Sequence, residues 1–437
     1  MKNNWILLMA AATLALSGCG GNGENTGSEF GGMKRNVTTA DVDKATKNLT
    51  KGKSARLLAA SNDFGFRLLN GLVKAEGDGN VFISPPSVST ALAMAYNGAS
   101  GSTKDAMAKT LAFEGFEIGE LNDAEKQMLT VLEGADPKVK LDIANSMWIK
   151  TGFDVKREFV GRLEDSFGAK PTVLDFANPE SPKTINRWFE QATQGKIKDL
   201  VTTLNQDARL LLINAVYFKG LWQKPFDPQA THDLDFTTLA ANKKQVPVMS
   251  LKADFPYYKG EKFSAVRLPY GSGRLGMVIL LPNQGASMQD LLKSVTPKSW
   301  IEMSTKMPPI EGTVVIPKFK MDYTAALVEP LKALGMGVAF TDQADFSGMR
   351  DQKDLFIGDV QHKTFIEVSE EGTEAAAATK VEILITARLA NPKEFTFTAD
   401  RPFLYAIEDK ETGMLIFLGI LGDPNPGAQV SGQKSHQ

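Results

Sequence analysis

The sequence has little of the chemistry that metalloenzymes and nucleophilic hydrolases use. Its 437 residues include one cysteine, Cys19, and three histidines, which are His232, His362 and His436. No H-E-x-x-H motif and no Cys/His cluster occurs, so we expect neither a metal nor a cofactor. A G-x-S-x-G nucleophile elbow is also absent. These absences argue against a hydrolase, and we expect a protein that is not an enzyme.

Two short motifs match catalytic patterns without their context. Gly271, Gly273 and Gly276 fit G-x-G-x-x-G, but a strand-like segment follows them where a dinucleotide site needs a helix. We therefore interpret them as a hairpin turn. Residues 431–434 fit S-x-x-K, but they fall in a polar tail, residues 425–437, that we expect to be disordered.

Charge of one sign is not in excess. The chain has 49 basic and 51 acidic side chains, a net charge of −2, which gives no indication of a nucleic-acid partner. Hydrophobic residues make up 43%, which is typical of a globular protein. After the first 18 residues no apolar run reaches the roughly 18 residues of a membrane span.

The amino-terminal residues have the features of an export signal. Lys2 supplies a positive start, residues 5–16 are apolar, and L-S-G-C ends at Cys19. These last four residues resemble the lipobox of bacterial lipoproteins, so we expect a signal peptide over residues 1–18 and lipidation of Cys19. The alternative is an ordinary signal peptide with a chance cysteine.

The signal predicts an exported lipoprotein of the bacterial cell envelope, at the outer membrane, or a protein of the extracellular space. Residues 19–54 are rich in Gly, Asn, Thr and Lys and are predicted to be a flexible tether, with folded structure starting near Ala55.

Helical patterns dominate the first half of the remaining chain and strand patterns the second half. Residues 140–150 alternate as a strand does, and residues 209–218 form an apolar run typical of a strand covered on both faces. Residues 323–334 are compatible with a helix. We find no internal repeat and no Pro-rich linker, and therefore predict one α+β domain over residues 55–424.

Residues 372–403 carry two competing signals. The Ala-rich residues 374–380 favour helix by intrinsic propensity. Residues 373–385, however, alternate with period two, so that Thr373, Ala375 and Ala377 would share the small, uncharged face of a strand. The pattern predicts a segment with two states, an exposed loop and a buried strand.

Four separated motifs resemble those of the serpin family. They read NVFISPPSVSTALAM at residues 80–94, NAVYFKGLWQKPF at 214–226, EVSEEGTEAAAAT at 367–379 and FTADRPFLYAI at 397–407. Because all four occur in order, the resemblance covers nearly everything from residue 55 to residue 424. It implies the serpin fold, with three β-sheets, eight or nine helices and an exposed reactive loop.

The resemblance implies inhibition of serine proteases by a suicide-substrate mechanism. A protease attacks the loop, forms an acyl-enzyme, and is trapped when the cleaved loop inserts into the main sheet as a new strand. The hinge that inserts first comprises Glu371, Gly372, Thr373, Glu374, Ala375, Ala376, Ala377 and Ala378. It contains no proline and no bulky residue, which favours an inhibitor over the alternative, a non-inhibitory serpin-fold binding protein of the envelope.

Other residues match serpin positions that control the opening of this sheet. The resemblance assigns Ser84, Ser87, Asn214 and His362 to a polar cluster beneath the sheet centre, the shutter. It assigns Trp222 to the breach, where the loop first enters, and it predicts a salt bridge between Lys318 and Glu370 close by.

The position of the scissile bond stays open between two alternatives. Counting from Gly372 by the family spacing gives Thr386–Ala387, which suits an elastase-like or subtilisin-like protease. Counting back from Asn391 and Pro392 gives Arg388–Leu389, which suits a trypsin-like protease. Cysteine proteases are a further alternative target. We expect a monomer, and no basic helix indicates a glycosaminoglycan site.

Overall fold

Helices and strands combine in an α+β architecture, as predicted. The computed structural model of the protein describes residues 37–373 and 394–425. These residues form ten α-helices: α1 Thr39–Leu49, α2 Gly52–Glu76, α3 Pro85–Tyr96, α4 Gly101–Leu111, α5 Ile118–Gly134, α6 Arg157–Phe167, α7 Ser181–Ala192, α8 Met288–Ser294, α9 Pro297–Ser304 and α10 Val328–Leu331. In these ranges no helix is both long enough and apolar enough to cross a bilayer.

Fifteen strands connect these helices in the same ranges. They are β1 Val81–Ile83, β2 Val139–Lys150, β3 Thr172–Leu174, β4 Leu210–Leu221, β5 His232–Thr237, β6 Lys243–Lys259, β7 Phe263–Pro269, β8 Leu275–Pro282, β9 Pro309–Pro317, β10 Phe319–Ala326, β11 Ile357–Val368, β12 Gly372–Thr373, β13 Phe395–Thr398, β14 Phe403–Asp409 and β15 Met414–Leu421. Gly271, Gly273 and Gly276 lie in or beside the turn of the β7–β8 hairpin, as predicted.

The first sheet has six strands in the order β10-β11-β12-β4-β2-β3. At its centre β4 and β11 run parallel and pair directly, from Leu210 opposite Ile357 to Tyr217 opposite Phe365. Beyond that point the two-residue β12 lies between them and is antiparallel to both. The carboxyl-terminal ends of two central parallel strands are therefore already parted by a third strand.

The other strands follow one path, β1-β15-β14-β8-β7-β6-β9-β13, with β5 paired to β6. The long strand β6 divides this path. Its residues from Lys243 to Pro256 pair with β5 and β9, whereas Tyr257–Lys259 pair with β7. Because β6 passes from one layer into the next, the path consists of two sheets, and three sheets are present in total.

The predicted tether extends too far along the chain. Helix α1 begins at Thr39, where Thr38 and Asp41 form a capping box, and α2 follows from Gly52. Val42, Ala45 and Leu49 are buried at helical spacing. Three apolar residues among polar neighbours make a weak stripe in the sequence, and α1 is stabilised by packing against α5.

The helix predicted over residues 323–334 is also partly wrong. Strand β10 continues to Ala326, with Phe319, Met321, Tyr323 and Ala325 buried on alternate positions. Helical structure starts only at Val328 and continues as a π-helical turn through Met336. The edge strand keeps period two because its inner face covers the core, and this packing outweighs the local helix propensity.

Candidate functional site

The two residues of β12 lie between the carboxyl-terminal ends of β4 and β11 in the six-stranded sheet. Gly372 is opposite Leu221, and Thr373 is opposite Gly220 on β4 and Val368 on β11. Gly372 has a φ of +145°, and a Cβ atom there would lie 2.2 Å from the carbonyl oxygen of Gly220. The close approach of two backbones therefore requires glycine at this position.

Trp222 joins the end of β4 to the segment that turns into β12. Its indole Nε1–H donates to the carbonyl oxygen of Ser369 at 2.9 Å, and its backbone N–H donates to that of Glu371 at 2.9 Å. Its ring stacks on Tyr270, with ring centroids 4.3 Å apart. The Tyr270 hydroxyl shares a hydrogen bond of 2.9 Å with the Thr373 hydroxyl, and both residues are fully buried.

Lys318 and Glu370 form an ion pair beside the same strand ends. The Lys318 Nζ atom lies 2.8 Å from Glu370 Oε2, and the Thr231 hydroxyl donates to Glu370 Oε1 at 2.7 Å. Burial alone would raise the pKa of Glu370, but the hydrogen bonds from Lys318 and Thr231 outweigh it and lower that pKa. The carboxylate is charged at neutral pH. Because the Lys318 end of the pair is partly exposed to solvent, the pair contributes little stability.

A buried histidine lies beneath the centre of the sheet. His362 Nε2 accepts the backbone N–H of Ser84 at 3.0 Å, and Nδ1–H donates to the side-chain oxygen of Asn214. Burial lowers the pKa of His362 to about 3, so the ring is neutral at physiological pH. Because Ser84 is the N-cap residue of α3, this ring connects the sheet to a helix behind it.

Further polar contacts surround His362. The Ser84 hydroxyl donates to that of Ser87 at 3.0 Å, and the Asn214 amide donates to Asn145 on β2. Thr364, two residues after His362, donates to the carbonyl oxygen of Phe82 at 2.7 Å. Buried polar groups that are all paired hold neighbouring elements in one arrangement, at a cost if any pair is broken.

Four residues that contact the strand ends or surround His362 were not predicted from the sequence, namely Asn145, Thr231, Tyr270 and Thr364. Asn145 and Thr364 each place a polar side chain on an otherwise apolar face of a strand, and this pattern could have indicated a buried polar contact. Thr231 and Tyr270 lie in or next to turns and offer no pattern of their own. Their partners Glu370 and Thr373 are 139 and 103 residues away along the chain.

Comparison with known proteins decides the family. The family model described as "Serpin (serine protease inhibitor)" matches residues 59–424. The chain belongs to the serpin family.

Named serpins and serpin-like proteins are similar over most of their length. An uncharacterized serpin-like protein of Thermococcus kodakarensis is 35% identical over 382 residues, covering 87% of this chain and 88% of its own. The leukocyte elastase inhibitor of Bos taurus is 37% identical over 381 residues, covering 84% and 100%. The crystal structure of the thermophilic serpin tengpin in the native state superposes with a TM-score of 0.78 at 31% identity, covering 84% of this chain and 94% of that chain.

These matches confirm the serpin fold. Helix α1 and the first turns of α2 precede the residues that the family model matches. The predicted hinge residues after Thr373, Glu374 to Ala378, lie outside the described residues. So do both candidate scissile bonds, Thr386–Ala387 and Arg388–Leu389, and the predicted lipidation site, Cys19.

Proposed function

We propose that this serpin inhibits serine proteases as a suicide substrate and is not itself an enzyme. The protease serine attacks the scissile carbonyl of the reactive loop and releases the new amino terminus as leaving group. The loop then inserts between β4 and β11, carrying the acylated protease with it. Family membership and the inhibitors among the relatives, such as the leukocyte elastase inhibitor, support this proposal.

The arrangement of β12 is the observation that favours insertion most. A chain entering between β4 and β11 runs antiparallel to both, and antiparallel pairing is slightly more stable per residue than the parallel pairing it replaces. The new strand does not have to find its register, because Thr373 already pairs with Gly220 and Val368.

The register can be continued along the loop sequence. Six residues after Thr373 comes Thr379, and six residues before Gly220 and Val368 come Asn214 and His362. Both neighbouring strands therefore assign Thr379 to the same level of the inserted strand. Asn214 and His362 are bonded to each other before insertion, and Thr379 would supply a hydroxyl as the new partner for groups that insertion separates.

The same register limits the length of the inserted strand. Ten residues after Thr373, Ile383 would face Leu210, the first residue of β4. Both candidate bonds, after Thr386 and after Arg388, lie beyond that end. We propose elastase-like or subtilisin-like targets for the first bond and trypsin-like targets for the second, with cysteine proteases as a further class. Intact mass of the released carboxyl-terminal peptide would distinguish a fragment starting at Ala387 from one starting at Leu389.

A panel of purified proteases tests the proposed function. Wild-type protein is mixed with trypsin-like, elastase-like, subtilisin-like and papain-like proteases, and covalent complexes are scored on denaturing gels. We expect an SDS-stable complex with at least one serine protease, and a large rise in thermal stability after loop cleavage. Cleavage by every protease with neither a complex nor stabilisation would show a substrate and contradict the proposal.

We further propose that Cys19 carries a lipid that attaches the protein to the bacterial cell envelope. The lipobox-like residues L-S-G-C support this attachment, as does the absence of any other cysteine in the sequence with which Cys19 could pair. Helix α1 starts 20 residues later, so that only the residues between Cys19 and Thr39 would separate the attachment from the folded domain.

A further inference from the structure

Thr373 is held in the sheet before any cleavage. It is fully buried at the point where β4 and β11 part. The segment before it is fixed by two backbone hydrogen bonds, from Ser369 N–H to the carbonyl oxygen of Gly372 at 2.8 Å and from Trp222 N–H to that of Glu371 at 2.9 Å. The first step of strand addition is therefore already made in the uncleaved protein.

Tyr270 supplies the side-chain contact that holds Thr373 in this position. Its hydroxyl is fully buried and hydrogen bonded to the Thr373 hydroxyl at 2.9 Å. The ring is stacked on Trp222 and also contacts Phe218 edge-on, with centroids 5.1 Å apart. Burial raises the pKa of the Tyr270 hydroxyl far above its usual range, so the group stays protonated and can donate.

The turn that carries Tyr270 is itself fixed at both ends. Asp136, which follows α5, accepts the backbone N–H of Ser272 at 2.8 Å and the Ser272 hydroxyl at 2.6 Å. Arg274 donates to both carboxylate oxygens of Asp409, at 2.9 and 2.7 Å. A buried ring on a turn held in this way has little freedom to follow Thr373 if the hinge leaves the sheet.

We propose that Tyr270 is a positioning residue for loop insertion, which keeps the hinge paired at Thr373 so that insertion continues from an existing strand end. This inference rests on the proposed function. After acylation, insertion competes with hydrolysis of the acyl-enzyme. A hinge that is already paired avoids the slow first contact between strands, and a hinge that has left the sheet must first return.

The variant Tyr270→Phe removes the hydroxyl and keeps the ring stacked on Trp222. One net hydrogen bond changes an equilibrium about fivefold at 25 °C, so the hinge should open about five times more often. The intact protein is labelled by hydrogen exchange, and the amides of Ser369 and Trp222 are read by mass spectrometry of its fragments. Exchange at both amides should accelerate by that factor. Tyr323→Phe is the matched control, because Tyr323 is a buried tyrosine whose hydroxyl bonds Glu76, away from the hinge. It should leave these two amides unchanged.

A second measurement uses a protease that forms a stable complex with the wild-type protein. Tyr270→Phe and Thr373→Val should each raise the number of inhibitor molecules consumed per protease molecule. The double variant should be no worse than the stronger single variant, because both remove the same hydrogen bond. Additive effects, or exchange in Tyr270→Phe equal to that in Tyr323→Phe, would overturn the role of Tyr270. If the wild-type protein traps no protease, the proposed function fails, and the exchange measurement still decides whether Tyr270 holds the hinge.

Discussion

The Nε2 atom of His362 accepts a hydrogen bond from the backbone N–H of Ser84 across 278 residues of chain, at 3.0 Å. One imidazole thus connects a central strand of the sheet to the start of a helix behind it. The bond requires an unprotonated Nε2, so the connection exists only while the ring is neutral.

Acid should weaken the fold through His362. Its pKa is about 3 in the folded state because of burial, and about 6.5 in the unfolded chain. The unfolded state therefore binds the extra proton first, and stability is lost as the pH falls below 6.5, by about 2 kcal/mol between pH 7 and pH 5. We expect the denaturation midpoint of His362→Gln to depend less on pH over this range than that of the wild-type protein. The matched control His232→Gln changes an exposed ring and should retain the wild-type dependence.

Glu125 should make the fold less stable as the pH rises, which is the opposite of the effect of His362. Burial raises its pKa to about 8, although a hydrogen bond from Thr90 opposes the shift. A carboxyl whose pKa is raised on folding destabilises the fold as the pH rises above the unfolded value, near 4.5, by about 1.4 kcal/mol per pH unit until about pH 8. The stability of Glu125→Gln relative to the wild-type protein should therefore grow between pH 5 and pH 8. A difference in stability that stays constant between pH 5 and pH 8 would contradict a raised pKa at Glu125.

Gly372→Ala should prevent the hinge from pairing with β4 and should therefore reduce protease trapping. The added methyl group would lie 2.2 Å from the Gly220 carbonyl oxygen and 2.6 Å from Leu221 Cα, so β12 cannot keep its place between the strands. We expect at least tenfold less SDS-stable complex. Gly152→Ala is the control for backbone strain alone, because Gly152 has a φ of +93° with nothing within 4 Å of the new atom. If both variants trap protease as well as the wild-type protein, the pairing at Gly372 has no part in inhibition.

Thr373→Arg should convert an inhibitor into a substrate. A guanidinium group in place of the buried hydroxyl costs several kcal/mol to bury, so insertion becomes slower than hydrolysis of the acyl-enzyme. We expect the protease to cleave the variant without forming a stable complex, as seen on denaturing gels. Thr203→Arg places the same charge on an exposed loop position and should leave the complex intact. A Thr373→Arg variant that still forms the complex would contradict the insertion mechanism.

Cys19→Ser should release the protein from the membrane fraction, because a serine cannot accept the lipid. The measurement is the distribution of the protein between membrane and soluble fractions after cell lysis. Ser28→Ala, outside the lipobox-like motif, is the control and should leave this distribution unchanged. Equal membrane association of wild-type and Cys19→Ser proteins would exclude a lipid anchor at this position.

Local sequence patterns predicted the elements that carry their own periodicity. The alternation over residues 140–150 predicted β2, and the apolar run at 209–218 predicted β4 with both faces covered. The contacts of His362 could not be derived in this way, because Ser84 and Asn214 reach it from distant parts of the chain. They were expected only because the surrounding motifs resemble those of serpins.

The other residues of the site could not be predicted from the sequence, because their roles depend on tertiary contacts. Tyr270 has no pattern of its own in the sequence, and its importance depends on Thr373, which is 103 residues away. Helix α1 was missed for a similar reason, since its three buried side chains gain stability only when they pack on α5. The start of the fold was therefore predicted 16 residues too late, at Ala55 instead of Thr39.

The early start of helix α1 determines how far an attached molecule can reach. With the proposed lipid at Cys19, the 20 residues to Thr39 span about 70 Å when fully extended, whereas the 36 residues to Ala55 would span about 120 Å. Under that proposal each attached copy would act only near its point of attachment to the membrane. Under the proposed suicide mechanism each molecule would be consumed in one capture, so that inhibition would be exhausted locally and restored only as new copies arrive at that place.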